Sequence, residues 1–177
     1  MPLFYRKEYL SGKWFDNNVT GWKWAWRCLW DQKVKGYNRH IPFPVNPSTT
    51  VGSINNLNFD ISNVDNFWKT GVYYQCWNGK ITIGKGTWIA QNVGLITENH
   101  DPTNPDKHLD SKNIYIGERC WIGMNAVIMP GVTLGNNTVV GANSVVTHSY
   151  EDGNVILVGA PAKIVKKVRP ESGGASE

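Results

Sequence analysis

Histidine is the side chain whose ordinary titration range lets it take up and return a proton near neutrality, and this 177-residue chain has four: His40, His100, His108 and His148. Two of them fall in one short stretch, LITENHDPTNPDKHLD at 95–110, beside the carboxylates of Glu98 and Asp101. An imidazole oriented there by a carboxylate or a backbone carbonyl is equipped to act as a general base on a hydroxyl group. Cys28, Cys76 and Cys120 are odd in number and scattered. They fit neither a disulfide framework nor the paired Cys-x-x-Cys spacing of a zinc site, and they read as buried free thiols with no metal expected.

The histidine stretch interrupts a regular beat. Ile116, Ile122, Ile128, Leu134, Val140 and Val146 lie six residues apart, and Gly117, Gly123, Gly135 and Gly141 follow four of them. Small or β-branched Cys120, Ala126, Val132, Thr138 and Ser144 stand four residues after the first five. The unit reappears upstream as Ile83-Gly84, Ile89-Ala90 and Leu95-Ile96, more faintly at Val45, Val51-Gly52 and Leu57, while 63–76 is irregular. Neither a helix nor a half-buried strand has this period, which calls for a repeat architecture. Three short strands joined by corners, where Gly or Asn accepts an unusual backbone conformation, make one coil of a three-sided prism. The prism is predicted over 45–149, roughly 25 Å tall with strands ~4.8 Å apart. Ile116 stands twenty-one residues after Leu95, which is not a multiple of six, so the segment between them leaves the prism. Pro102 and Pro105 predict an extruded loop at 101–109, with His100 at its root on the coil edge and His108 in the loop itself.

The hexads that begin IGERCWIGMNAVIMPGVTLG, with GAPAKIV after the last coil, resemble the hexapeptide-repeat acyltransferases. Within that family the chain is most similar to the sugar and polysaccharide O-acetyltransferases, galactoside and maltose acetyltransferases among them. The resemblance implies an all-β fold, a left-handed parallel β-helix whose hand is opposite to the general rule for parallel crossovers. It also implies a homotrimer with sites between subunits, acetyl-CoA as donor, a saccharide hydroxyl as acceptor, and His100 as catalytic base for direct attack on the thioester. By the same resemblance the arm of coenzyme A runs past Trp121, Met124, Ala142 and Thr147, with its adenosine phosphates near Lys163 and Lys166. Gly123, Gly141 and Ala142 are small enough to admit the arm to the backbone, and the glycines serve equally as prism corners. Cys120 occupies an inward position of the repeat, a poor place for a nucleophile. In GAPAKIVKKV, Ile164, Val165 and Val168 suggest the buried side of a short C-terminal helix, with a strand before it and a disordered tail after it in 150–177.

Residues 1–44 form a Trp-rich basic segment. In GWKWAWRCLW at 21–30, helical spacing brings Trp22, Trp26, Leu29 and Trp30 to one side. That face either packs over the prism or rests on a membrane surface, and it departs from the N-terminal segment of galactoside and maltose acetyltransferases. The net charge of +4 is concentrated at the two ends, and the interleaved Trp and basic residues do not favour nucleic acid. No apolar run approaches the ~20 residues that span a bilayer, and no leader-like segment is evident, which gives a cytoplasmic reading. With 18% charged residues and nine Trp, the composition suits one folded β-rich domain. Three alternatives stand beside the O-acetyltransferase: N-acetylation of an amino sugar or an antibiotic, a γ-type carbonic anhydrase, and a scaffold without a donor site. The carbonic anhydrase would need a third histidine, which the repeats lack.

Overall fold

The computed structural model describes residues 3–168. Wherever the six-residue beat holds, the chain makes a strand of two or three residues and then turns a corner. Sheet A is parallel and holds β1 (Thr50–Val51), β3 (Tyr73–Gln75), β6 (Gly94–Ile96), β11 (Val127–Ile128) and β14 (Val145–Val146). Sheet B, also parallel, holds β2 (Leu57–Phe59), β4 (Ile81–Ile83), β9 (Ile114–Ile116) and β12 (Thr133–Leu134). Sheet C stacks β5 (Trp88–Ile89), β10 (Trp121–Ile122), β13 (Val139–Val140) and β15 (Val155–Gly159) in parallel, and β16 (Ala162–Lys167) closes it antiparallel to β15. A separate antiparallel pair, β7 (His100–Asp101) and β8 (Asn104–His108), stands outside the three sheets. From β3 to β15 the chain visits A, B and C in turn. Ile83, Ile89, Leu95, Ile116, Ile122, Ile128, Leu134, Val140 and Val146 all point inward and are buried, as are Cys120, Ala126, Val132, Thr138 and Ser144. The two-residue strands of the three sheets bury one apolar side chain each, while β4 and β9 bury two, Ile81 with Ile83 and Ile114 with Ile116.

The corners carry a second six-residue beat. Three residues after seven of the nine inward residues of the beat, all but Leu95 and Val146, Gly86, Asn92, Arg119, Asn125, Gly131, Asn137 and Asn143 adopt left-handed backbone with φ between 52° and 83°. Asparagine tolerates this region, and its amide links one coil to the next. Asn125 Nδ2 donates to Asn143 Oδ1 at 3.0 Å, Asn137 Nδ2 to Asn154 Oδ1 at 2.9 Å, and Arg119 Nε to Asn137 Oδ1 at 2.9 Å. At Gly135 the neighbouring coil passes so close that a β-carbon would collide with the Glu151 carbonyl.

In the first coil, the stretch that ought to be a strand of sheet C is instead a run of 3-10 turns, Ile61–Trp68. Two buried asparagines supply the hydrogen bonds a strand would have given to the edge of β5. Asn63 bonds Gly84 O and Gly86 N, and Asn66 bonds Thr87 O and Ile89 N, at 2.7–3.0 Å. Helix α1 (Thr20–Leu29), extended by a π-helical turn over Trp30–Val34, packs here. The face it buries is Gly21, Ala25, Cys28 and Gln32, while of Trp22, Trp26, Leu29 and Trp30 only Trp22 and Leu29 pack partly against the core. Small side chains allow the close approach, since a β-carbon on Gly21 would meet Trp14 O and the Phe15 ring. Trp22 is half-buried, its Nε1 donating to Phe15 O at 2.9 Å, and Trp24 stacks on Trp68 with ring centroids 5.5 Å apart. Trp26 and Trp30 are left 65% and 62% exposed.

The expected C-terminal helix is a strand. β-Branched Ile164 and Val165 suit extended backbone, and the free edge of β15 offers a row of partners that an isolated short helix would lack. Both side chains are exposed in β16, while Ala162 is buried beneath Tyr150, whose hydroxyl donates to Ala162 O at 2.7 Å. The tail expected after Val168 lies outside the described residues.

Arg119 carries a β-carbon and a long side chain in a corner conformation that suits Gly or Asn. Arg119→Asn is expected to raise stability by up to about 1 kcal/mol, read as a higher urea midpoint with an unchanged slope.

Candidate active site

The coil that contains β6 ends at Thr97, a buried hydroxyl that donates to Gln75 O at 2.6 Å. The chain then leaves the prism and returns where Lys112 N donates to Thr97 O at 2.8 Å. Between these points it forms the β7–β8 hairpin, so the extrusion is an ordered antiparallel turn wider than 101–109. Its tip is tied by Asp101, whose Oδ1 accepts from both the amide and the hydroxyl of Thr103 at 2.7 Å. The hydroxyl and amide of Thr103 together hold the Asp101 carboxyl below its usual titration range. Asp101 therefore secures the turn and makes no hydrogen bond to His100.

His100 and His108 are direct partners across the hairpin, with ring centroids 4.2 Å apart and planes tilted by 48°. This corrects the expectation that His100 stands on the rigid coil edge at the root of the loop while His108 lies apart from it in the loop itself. His100 Nδ1 lies 2.7 Å from Pro105 O. A carbonyl can only accept, so Nδ1 carries the proton and the lone pair sits on Nε2, which has no hydrogen-bond partner among the described residues. The carboxylate at this site serves the other ring, with Glu98 Oε1 2.6 Å from His108 Nδ1. Nothing in the sequence marked Glu98, His108 and the supporting Gln75 and Asn78 as a group, because their contacts cross coils and the hairpin. The remaining histidines lie elsewhere: His40 Nε2 meets Val51 O at 3.2 Å, and His148 Nδ1 meets Thr147 Oγ1 at 2.8 Å.

The residues expected at the donor fall into two groups. Thr147 lies beside the foot of the hairpin, in a cleft of about 270 Å³ that Asn99, Leu109, Lys112 and Met129 also line. Trp121, 58% exposed, faces outward from sheet C. In register with it run Val139 and Ile156, and Lys166 pairs with Ile156, so an apolar row ends in a cation. Lys163 is exposed on the same strand as Lys166. Met124 and Ala142 are exposed at the corner that follows sheet C, one face of the prism away from Thr147. A β-carbon on Gly123 would meet the backbone of Val140 and Ala142, and one on Gly141 would meet Val158, so both are packing corners. Burial raises the Cys120 thiol above its usual titration range, and its Sγ points at Gly135 O at 3.3 Å.

Residues 113–148 match the family model for the bacterial transferase hexapeptide, six repeats. The chain is 39% identical over 61 residues to the putative colanic acid biosynthesis acetyltransferase WcaF of Escherichia coli, covering 34% of each chain. It is 41% identical over 104 residues to the putative lipopolysaccharide biosynthesis O-acetyl transferase WbbJ of the same organism, covering 52% of this chain and 53% of that one. The chain thus spans about half or less of the length of these curated relatives. A hexapeptide-repeat acetyltransferase of Vibrio cholerae, crystallised with acetyl coenzyme A, superposes over 69% of each chain with a TM-score of 0.55 at 26% identity. The chain carries the hexapeptide repeat of the bacterial transferases and is related to sugar O-acetyltransferases.

Proposed function

We propose that the protein is an acetyl-CoA-dependent O-acetyltransferase that acts on a saccharide hydroxyl, with the prism wound left-handed as in the hexapeptide acyltransferases. The observation that carries this reading is the hydrogen bond from His100 Nδ1 to Pro105 O, which turns a basic Nε2 away from the hairpin. As the acceptor oxygen attacks the thioester carbonyl, Nε2 takes its proton. The carbon–sulfur bond then breaks, and the proton passes from His100 to the departing sulfur of coenzyme A. No acyl-enzyme is required, in keeping with the burial of all three cysteines.

The two separated groups of donor residues support a homotrimer. Thr147 and the hairpin foot lie on one corner, Met124 and Ala142 on another, and packing the second corner of one copy against the first corner of its neighbour would unite them. The arm of coenzyme A would then run past Met124, Ala142 and Thr147, while the row from Trp121 to Lys166 leads toward phosphates held by Lys163 and Lys166. A saccharide tied to a growing polymer or lipid also gives the exposed ridge of α1 a use. Trp26, Trp30 and Val34 follow one another at four-residue spacing, flanked by exposed Lys23 and Arg27, and this ridge suits the interface of an anionic membrane. No helix among the described residues is long and apolar enough to cross one.

Three measurements test the reading. His100→Ala is expected to lower kcat at least about a hundredfold, followed as coenzyme A release with a galactoside acceptor; undiminished turnover would sink the assignment. Lys166→Glu is expected to raise KM for acetyl-CoA severalfold and leave the acceptor KM unchanged. Trp26→Ser with Trp30→Ser is expected to abolish co-sedimentation with phosphatidylglycerol vesicles while sparing coenzyme A release. Equal sedimentation of the wild type and this double variant would exclude the ridge.

A further inference from the structure

Glu98 is a carboxylate whose side chain is only 8% exposed, at the foot of an otherwise exposed hairpin. Taking an anion out of water costs several kcal/mol unless its oxygens are bonded. Here both are: Asn78 Nδ2 donates to Oε2 at 2.7 Å, and His108 Nδ1 lies 2.6 Å from Oε1. The backbone of Glu98 is gripped as well. Gln75 Oε1 accepts from Glu98 N at 2.9 Å, and Gln75 Nε2 donates to Glu98 O at 3.2 Å. Gln75 belongs to β3, and both it and Asn78 lie one coil before Glu98, so Glu98 is fixed to the prism by its backbone and by Oε2.

A two-stranded hairpin is marginal on its own, yet His100 must hold one ring orientation to present a lone pair from Nε2. Its hydrogen bond to Pro105 is internal to the hairpin and moves with it. The contact that reaches back to the prism is indirect, running through the His108 ring, packed 4.2 Å from that of His100, to Glu98 and Asn78. We propose that Asn78, Glu98 and His108 form a positioning arm that fixes the ring plane of His100 and so holds its Nδ1 on Pro105 O, the bond that sets the Nδ1-protonated tautomer. His108 acts through His100 in this scheme, and Glu98 acts through His108. The role of the arm in catalysis rests on His100 being the base, but its effect on the ring can be read without any acceptor.

The test is long-range ¹H–¹⁵N imidazole spectroscopy of the full-length, ¹⁵N-labelled protein in mildly alkaline buffer, with His100 assigned by the signals lost in His100→Gln. The wild type is expected to show His100 as one tautomer, with Nδ1 protonated and Nε2 bare. His108→Ala and Glu98→Ala, made separately, are each expected to replace that pattern with an exchange-averaged pair of nitrogen signals. Thermal unfolding of the two variants checks that the prism is intact. A wild-type His100 pattern in either folded variant overturns the arm, whether or not the protein proves to be an acetyltransferase. With acetyl-CoA and a galactoside, both variants are expected to lose kcat by roughly tenfold with an unchanged KM for acetyl-CoA, as befits a misoriented base. An unchanged kcat also overturns it.

Discussion

Everything in this molecule depends on coils stacking in register, so that backbone amides of the strands reach carbonyls of the next coil and those of the left-handed corners reach back to the coil before. Trp88 N donates to Cys120 O, Trp121 N to Thr138 O and Gly141 N to Leu157 O, all at 2.8–2.9 Å. This contact fixes the spacing of coils and returns an inward side chain to the same place in every hexad, which is why the hexad is strict from Ile116 to Val146. It also explains the glycines, since Gly123 and Gly135 lie where the next coil passes too near for a β-carbon. A parallel stack leaves an unpaired edge at each end, a hazard for association with other chains. At one end of sheet C the edge is covered by Asn63 and Asn66, at the other by β16.

The candidate site joins this rigid stack to a hairpin outside it. The prism supplies fixed points: Gln75, Asn78 and Thr97 before the departure, Thr147 beside the foot. The hairpin supplies the imidazole. Its lone pair is set by two unlike constraints, a carbonyl on the edge of the ring and a second ring on its face. A surface ion pair between a histidine and a glutamate would ordinarily contribute little. The Glu98–His108 pair differs because Glu98 is buried and bonded to the coil before it, so ring orientation is coupled to the core.

What was legible in the sequence followed the reach of each interaction. The hexads report contacts that repeat at every coil, and they carried the prism, the interruption and the outward Trp121. The left-handed corners at Asn125, Asn137 and Asn143 were equally periodic and open to the same counting. Features held by single, distant contacts left no such trace. Ile164 and Val165 looked helical because their partner strand, β15, was not visible from spacing alone. The buried side of α1 left no signal because Gly21 and Ala25 pack by being small, whereas hydrophobicity singled out tryptophan. His108 looked like a loop residue because its partner Glu98 is ten positions away along the chain and meets it only when the hairpin closes.

The hairpin leaves the prism and rejoins it at nearly the same point, with Leu109 N bonded to Asn99 O and Lys112 N to Thr97 O, both at 2.8 Å. Because departure and return coincide, residues gained or lost between them shift no other coil and cost only the closure of a longer or shorter loop. An added coil must instead arrive as three complete hexads to keep every later side chain on its side. Change is therefore cheap in the hairpin that carries His100 and His108, and expensive everywhere in the prism that supports it. Such a scaffold can be altered at its candidate site by editing the hairpin alone.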